Sequence, residues 1–335
     1  MPPTTKAFTT IVTTKTIATS TESRIAYIYR KYGTILIFIG LFFIASVASP
    51  AFLTQANLTN VLRQVVVVSL LACGVTFVII LGQIDVSLGA VMALAGTIAA
   101  SFMVMTGSIT MAISAGLTVG ALSGLVNGLV ITTFRIPSFI MTLAMASVAR
   151  GTVLLYTGGA PVIGLGNFRI IGQGDVGPLP VSVAILATVV LLCWVLLAKT
   201  RFGRYVYAVG GNARAARASG VRPTNVIVAA FVLNGGLCGL AGIVFTSRIN
   251  SGQPAAGAGY EFDAITSVII GGTSLMGGTG SIAGTIIGSF VIGIINNILN
   301  LLNVSSYWQQ IAKGLIIALA VILDVGTKFS RGERA

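Results

Sequence analysis

A chain of 335 residues that is 55% hydrophobic and only 8% charged cannot cover a soluble globule, since soluble domains carry about 25% charged residues. The net charge of +13 does not signal nucleic acid, because the basic residues sit in gaps between apolar runs and not on an aromatic-bearing soluble face. Histidine is missing altogether, which removes the usual general base, the usual metal ligand and any Ser–His dyad, and argues against hydrolytic chemistry.

The expected fold class is an all-α polytopic membrane protein. A helix needs about 20 apolar residues to cross the hydrocarbon, because each backbone amide must be satisfied within it. The first thirty or so residues are polar and Thr-rich, too long for an ordinary signal's n-region. Apolar runs then follow at 33–50, 60–81, 87–105, 109–133, 137–156 and 181–198. After a basic mid-chain segment come 225–247, 264–279, 281–302 and 307–325, for a total of ten. The run at 264–279 is ambiguous, because Gly271-Gly272 and Gly277-Gly278 also suit a re-entrant or broken helix. Parity favours a crossing. The 41 glycines read as helix packing, and Cys73, Cys193 and Cys238 read as small buried hydrophobes with no disulfide or metal.

Fifteen of the twenty Lys and Arg residues fall in the N-terminal arm, at Arg135, in the mid-chain segment and in the tail. The positive-inside rule puts all of these in the cytoplasm, with both termini. The domains read from this are a cytoplasmic arm at 1–32, a transmembrane domain at 33–325 with a cytoplasmic loop at 199–224, and a tail at 326–335. Within the loop, Gly210-Gly211 signals a turn, Asn212 is a good N-cap, Ala213–Ser219 favours helix and Gly220 stops it. It is either a docking helix or a plain topological anchor.

Intramembrane ionisable groups are functional candidates by default. Asp85, in GQIDVSLG, either caps the third helix or meets a substrate. Glu261 and Asp263 are expected at the outer mouth, as an outer gate or contact surface, or as part of a solvated loop beside Arg248. Asn296, Asn297 and Asn300 share one helical flank in an apolar run and either line a path for uncharged solute or bond neighbouring helices. No G-x-x-x-x-G-K-[ST] phosphate loop occurs, so the chain cannot hydrolyse ATP by itself. No catalytic residue or metal site is assigned.

Long blocks carry a family resemblance: GQIDVSLGAVMALAG at 82–96, TRFGRYVYAVGGNARAARASGV at 200–221, GQPAAGAGYEFDAITSVIIGGTSLMGGTGSIAGTIIG at 252–288 and NNILNLLNVSSYWQQIAKGLIIALAVILD at 296–324. With them the chain resembles permease subunits of bacterial monosaccharide ABC importers, the ribose/xylose/arabinose/galactoside permease family, and within it the ribose permeases above all.

The resemblance implies a type II importer permease of about ten helices, working as a homodimer in the bacterial inner membrane. It implies a cytoplasmic ABC ATPase, which binds the ATP and Mg, a periplasmic sugar-binding protein, for which Glu261 and Asp263 are then candidate contacts, and a monosaccharide cargo. The segment matching Gly211, Asn212, Arg214, Ala215, Ala216, Arg217 and Gly220 corresponds to the family's coupling helix, which seats in the ATPase. In the family two acidic residues usually follow that asparagine, where this chain has Ala213 and Arg214. A secondary transporter and a passive channel are the alternatives; a coupled carrier usually places carboxylates or histidines in mid-membrane.

Overall fold

A computed structural model describes residues 20–329 apart from residue 178, and they are helical almost throughout. The helices are α1 (Ser20–Ala48), α2 (Gln55–Ile80), α3 (Leu88–Thr106), α4 (Ile109–Phe134) and α5 (Ser138–Thr157). A 3-10 turn (Gly166–Arg169) leads to the short α6 (Ile170–Gln173) and a two-stranded hairpin, β1 (Asp175–Val176) against β2 (Leu179–Pro180). Then come α7 (Val181–Lys199), α8 (Arg201–Ala218), α9 (Pro223–Ile249), α10 (Tyr260–Ile270), α11 (Ile282–Leu301) and α12 (Ser306–Phe329).

Seven of the described helices, α2, α3, α4, α5, α7, α9 and α11, are long and apolar enough to cross a membrane. The 26 residues of α2 rise about 39 Å at about 1.5 Å per residue, against a hydrocarbon core of about 30 Å. Hydroxyl side chains set several starts: Thr54, Ser108, Thr200 and Ser281 each accept from the amide three residues on and so cap α2, α4, α8 and α11. Gly107 and Gly158 end α3 and α5 in the left-handed conformation.

The centre of the bundle is α2. Every residue from Val65 to Ile80 is buried, as a helix that is apolar on all sides must be. Around it stand α9, α11, α10 and α7, and on the outer side of α9 the helices α3 and α4 approach closely because glycine lines their seams. Gly116, Gly120, Gly124 and Gly128 recur every fourth residue on one face of α4, and a Cβ on Gly124 would overlap the carbonyl oxygen of Phe231 in α9. Without a hydrophobic force between helices in lipid, such close backbone packing is what holds them together. The three cysteines are free and buried, as read from the sequence.

Two long interruptions set the architecture of the middle. Residues 81–87 run back from the end of α2, so that α3 begins deep in the bundle beside α9: Asp85 bonds Asn234, and Gly96 packs on Gly242. At the far end Val162 and Gly252 exchange backbone hydrogen bonds of 2.9 and 2.8 Å. The chain then turns back through 253–259, and Gly257 comes to rest against Gly89 in the first turn of α3. Helix α10 therefore starts at the depth of α3's first turn.

The run expected as a crossing helix at 264–279 is thus an eleven-residue helix, about 16 Å long, followed by a non-helical stretch, 271–281. Backbone turns and the contact Gly278 N to Ile80 O (2.8 Å) satisfy part of that stretch. The loop expected at 199–224 is mostly helix, because Val206 and Val209 give α8 a buried face. At the N-terminus the helix starts at Ser20, inside the arm expected at 1–32. Residues 1–19 of that arm and 330–335 of the tail lie outside the described residues.

Candidate functional site

The polar residues gather in two places, at the arginine-rich end of the bundle and in its middle. At the arginine-rich end, α8 changes direction at Asn212, whose backbone is extended (φ −160°, ψ 100°). Its side-chain Oδ1 accepts from the amides of Arg214 (3.0 Å) and Ala215 (2.9 Å), which makes it the N-cap of a second short helix. Gly220, at φ +84°, closes that helix, with Gly220 N donating to Arg217 O and Val221 N to Ala216 O. Arg214, Ala215 and Arg217 are exposed while Ala216 faces inward. The expected cap, helix and stop all stand where the sequence puts them. Gly210 does not form a turn: it ends the first segment and packs on Ile80 O, where a Cβ would overlap that oxygen.

The first segment of α8 ties this exposed helix to the bundle. Phe202 stacks on Phe77 with ring centroids 6.1 Å apart, and Tyr207 Oη donates to Gly280 O at 2.8 Å. The exposed knob is therefore built onto the end of α2 and onto the 271–281 stretch.

In the middle of the bundle, Asp85 Oδ1 accepts from the amide (2.8 Å) and hydroxyl (2.6 Å) of Ser87, and Oδ2 accepts from Asn234 Nδ2 (2.8 Å). The residue at the N-cap of α3 is Ser87, and no side chain caps that helix. Asp85 instead fastens the non-helical 81–87 segment. Ser138 and Thr142 of α5 do the same, taking the amides of Ile84 (3.0 Å) and Val86 (3.2 Å), and Asn127 of α4 donates to Ser87 Oγ (3.3 Å). Non-helical backbone at membrane depth survives only where protein groups satisfy it in this way.

Asp263, expected at the outer mouth, lies instead at the depth of α10's first turn, buried, because the chain folds back before α10. Its Oδ2 accepts from Lys313 Nζ of α12 at 2.9 Å and from Asn296 Nδ2 of α11 at 3.2 Å. Glu261, two residues earlier in the same first turn, touches α3 at Gly89, and its Oε2 is buried without a hydrogen-bond partner among the described residues. Neither is a solvated neighbour of Arg248, which closes α9 at the end away from the arginine-rich face.

The three asparagines of α11 go to three different partners. Asn296 reaches Asp263, Asn297 forms a reciprocal amide pair with Asn57 of α2 (2.8 and 3.1 Å), and Asn300 accepts from Gln309 of α12 (2.9 Å). Asn297 therefore leaves the shared flank read from spacing, and all three bond between elements. Sequence reasoning overlooked Asn127, Asn234, Arg150 and Lys313. The first three are polar residues in apolar runs and Lys313 follows Gln309 and Gln310 at the head of one, and that was the signal available.

The family described as "Branched-chain amino acid transport system / permease component" matches residues 57–321. The chain belongs to that permease family. Three curated relatives extend the match. The ribose import permease protein RbsC of Bacillus subtilis (strain 168) is 46% identical over 293 residues, 86% of this chain and 91% of that protein. Its counterpart in Escherichia coli (strain K12) is 42% identical over 318 residues, covering 93% and 99%. The L-arabinose ABC transporter permease protein AraH of Azospirillum brasilense is 34% identical over 306 residues, covering 91% and 89%. No solved structure matches the chain.

As a permease of this family the chain is a multi-pass membrane transport component and not a catalyst, in keeping with its missing phosphate loop. Nearly all the structure described above lies inside the matched residues, including the Asn212-capped helix and the Asp85 and Asp263 networks.

Proposed function

We propose that this permease is the membrane-spanning subunit of an ATP-binding-cassette importer that carries a monosaccharide, ribose in the first place, across the bacterial inner membrane. The observation that carries the reading is the similarity to ribose import permeases at 42–46% identity over most of the chain. The arabinose permease relative, at 34%, fits a monosaccharide cargo in general and ribose in particular.

In this reading the chain passes the membrane ten times, α10 making its pass together with the folded-back 253–259 segment, and both termini are cytoplasmic. The Lys/Arg asymmetry supports that orientation. Two copies form the channel, and the exposed helix after Asn212 seats in a separate cytoplasmic ATPase that binds the ATP and Mg. A periplasmic binding protein delivers the sugar at the opposite face. Closure of the ATPase pair moves the two coupling helices and alternates the access of the sugar path. Because α8 is packed on the end of α2 and on the 271–281 stretch, a push on the knob reaches both segments directly.

Uptake of labelled ribose, xylose, arabinose and galactose by cells that lack their own ribose permease tests the reading. The chain restores ribose uptake above the other three; restoration of none of them rejects it.

A further inference from the structure

We infer that the trough between the first turn of α10 and the early part of α12 is a station where the monosaccharide rests during its passage, an assignment that builds on the sugar-import reading. The trough is a cavity of about 530 Å³ whose lining includes Gly259, Glu261, Phe262, Gln309, Gln310 and Lys313. That volume falls in the range of about 300–1,000 Å³ typical of small-molecule sites.

Its chemistry suits a polyol. Glu261, whose Oε2 is buried against Gly89 without a hydrogen-bond partner among the described residues, lines the trough with its carboxylate. A sugar bearing adjacent hydroxyls can donate to it. Gln310 is exposed to the trough and offers both a donor and an acceptor. Lys313, which lines the trough, spends one of its three donors on Asp263 (2.9 Å), which offsets its charge and leaves two donors for a hydroxyl. Phe262, half-exposed, supplies a flat apolar surface for the sugar's C–H face.

Glu261 also walls a second, smaller cavity of about 210 Å³ that is lined by Val86, Ser147 and Arg150. One carboxylate thus stands between two cavities at the depth where α3 and α10 both begin. Lipid cannot close such a trough, because ionisable groups at this depth face the bundle interior or water. Exposed Trp308, Ile311 and Leu315 flank it on α12, so a second copy of the chain is the partner that completes the passage.

An amino acid is the competing occupant, given the family's description. It would need a cation in the trough for its carboxylate, where Lys313 is already paired with Asp263, while Arg150 lies in the smaller cavity and is held by the carbonyls of Ala255 and Ala256.

The test uses the whole importer, permease with ATPase and binding protein, in proteoliposomes. The native cysteines are buried, so Gln310→Cys and Leu315→Cys are introduced singly and challenged with a charged methanethiosulfonate reagent. Gln310→Cys is modified, ribose during turnover slows that modification several-fold while leucine does not, and Leu315→Cys, covered by the second copy outside the trough's lining, stays unmodified. In the same system Glu261→Gln raises the apparent KM for ribose about tenfold, equivalent to about 1.4 kcal/mol, with the amount of assembled importer unchanged. An inert Gln310→Cys, equal modification of both cysteines, or protection by leucine in place of ribose overturns the assignment. If the unsubstituted importer takes up no ribose, the sugar-import reading falls, and this assignment falls with it.

Discussion

Asn234 Nδ2 donates a 2.8 Å hydrogen bond to Asp85 Oδ2 across 149 positions of sequence, and both side chains are buried. This bond fastens the non-helical segment before α3 to the middle of α9, and with it the depth at which α3 starts. Asp85→Ala leaves the Asn234 amide group and the Ser87 amide and hydroxyl without their acceptor. Each unsatisfied buried donor costs about 1–3 kcal/mol, so thermal unfolding of the purified permease shifts down strongly. Asp85→Asn keeps the shape and one acceptor, and loses less. Equal melting of all three forms would refute this role.

The glycine seam between α4 and α9 gives a paired prediction. A methyl group on Gly124 overlaps Phe231 O, whereas a Cβ on Gly151 meets nothing within 4 Å. Gly124→Ala therefore forces the helices apart, at a cost of about 1–3 kcal/mol for overpacking. Gly151→Ala instead gains up to about 1 kcal/mol of helix propensity. Detergent-resistant folded yield separates the two, and a harmless Gly124→Ala would remove the seam from the account.

The ion pair between Lys313 and Asp263 spans α12 and α10 with side-chain exposures of 26% and 8%. Breaking such a pair from one side leaves a buried charge and costs about 3–5 kcal/mol. Lys313→Met alone is accordingly unstable, and adding Asp263→Asn restores most of the loss. Additive losses in the double variant would show that the two residues act independently.

Much of this was legible in the chain because apolar runs, caps and charge asymmetry are local signals. The Asn212 cap and the Gly220 stop need only three or four neighbouring residues each, and both stand as read. The position of Asp263 is not local. It depends on Gly257 folding back onto Gly89, a contact between segments far apart in sequence. The apolar content of 264–279 suggested a full crossing, while the glycine pairs that break it carried the contrary signal in the same stretch. The asparagines of α11 show the limit of periodicity: spacing put Asn297 with Asn296, but Asn57 of α2 draws it the other way.

For the exposed helix after Asn212, the buried side chain of Ala216 makes Ala216→Pro a blunt probe, since it disturbs the seat on the bundle as well as the knob. Arg214→Glu with Arg217→Glu alters only exposed groups. That pair leaves folded yield unchanged and reduces ATPase co-purification and sugar uptake together. Asn212→Ala removes the cap, worth about 1 kcal/mol, and gives a partial loss of both. Full retention of both activities in the arginine pair would leave the segment as a topological anchor.

The most direct measurement is ribose accumulation in vesicles containing the purified permease, with the ATPase, the binding protein and ATP added or withheld one at a time. Accumulation above the external concentration appears only when all are present, and ATP is consumed as sugar enters. Uphill accumulation by the permease alone, or ribose uptake indifferent to ATP, would contradict the account.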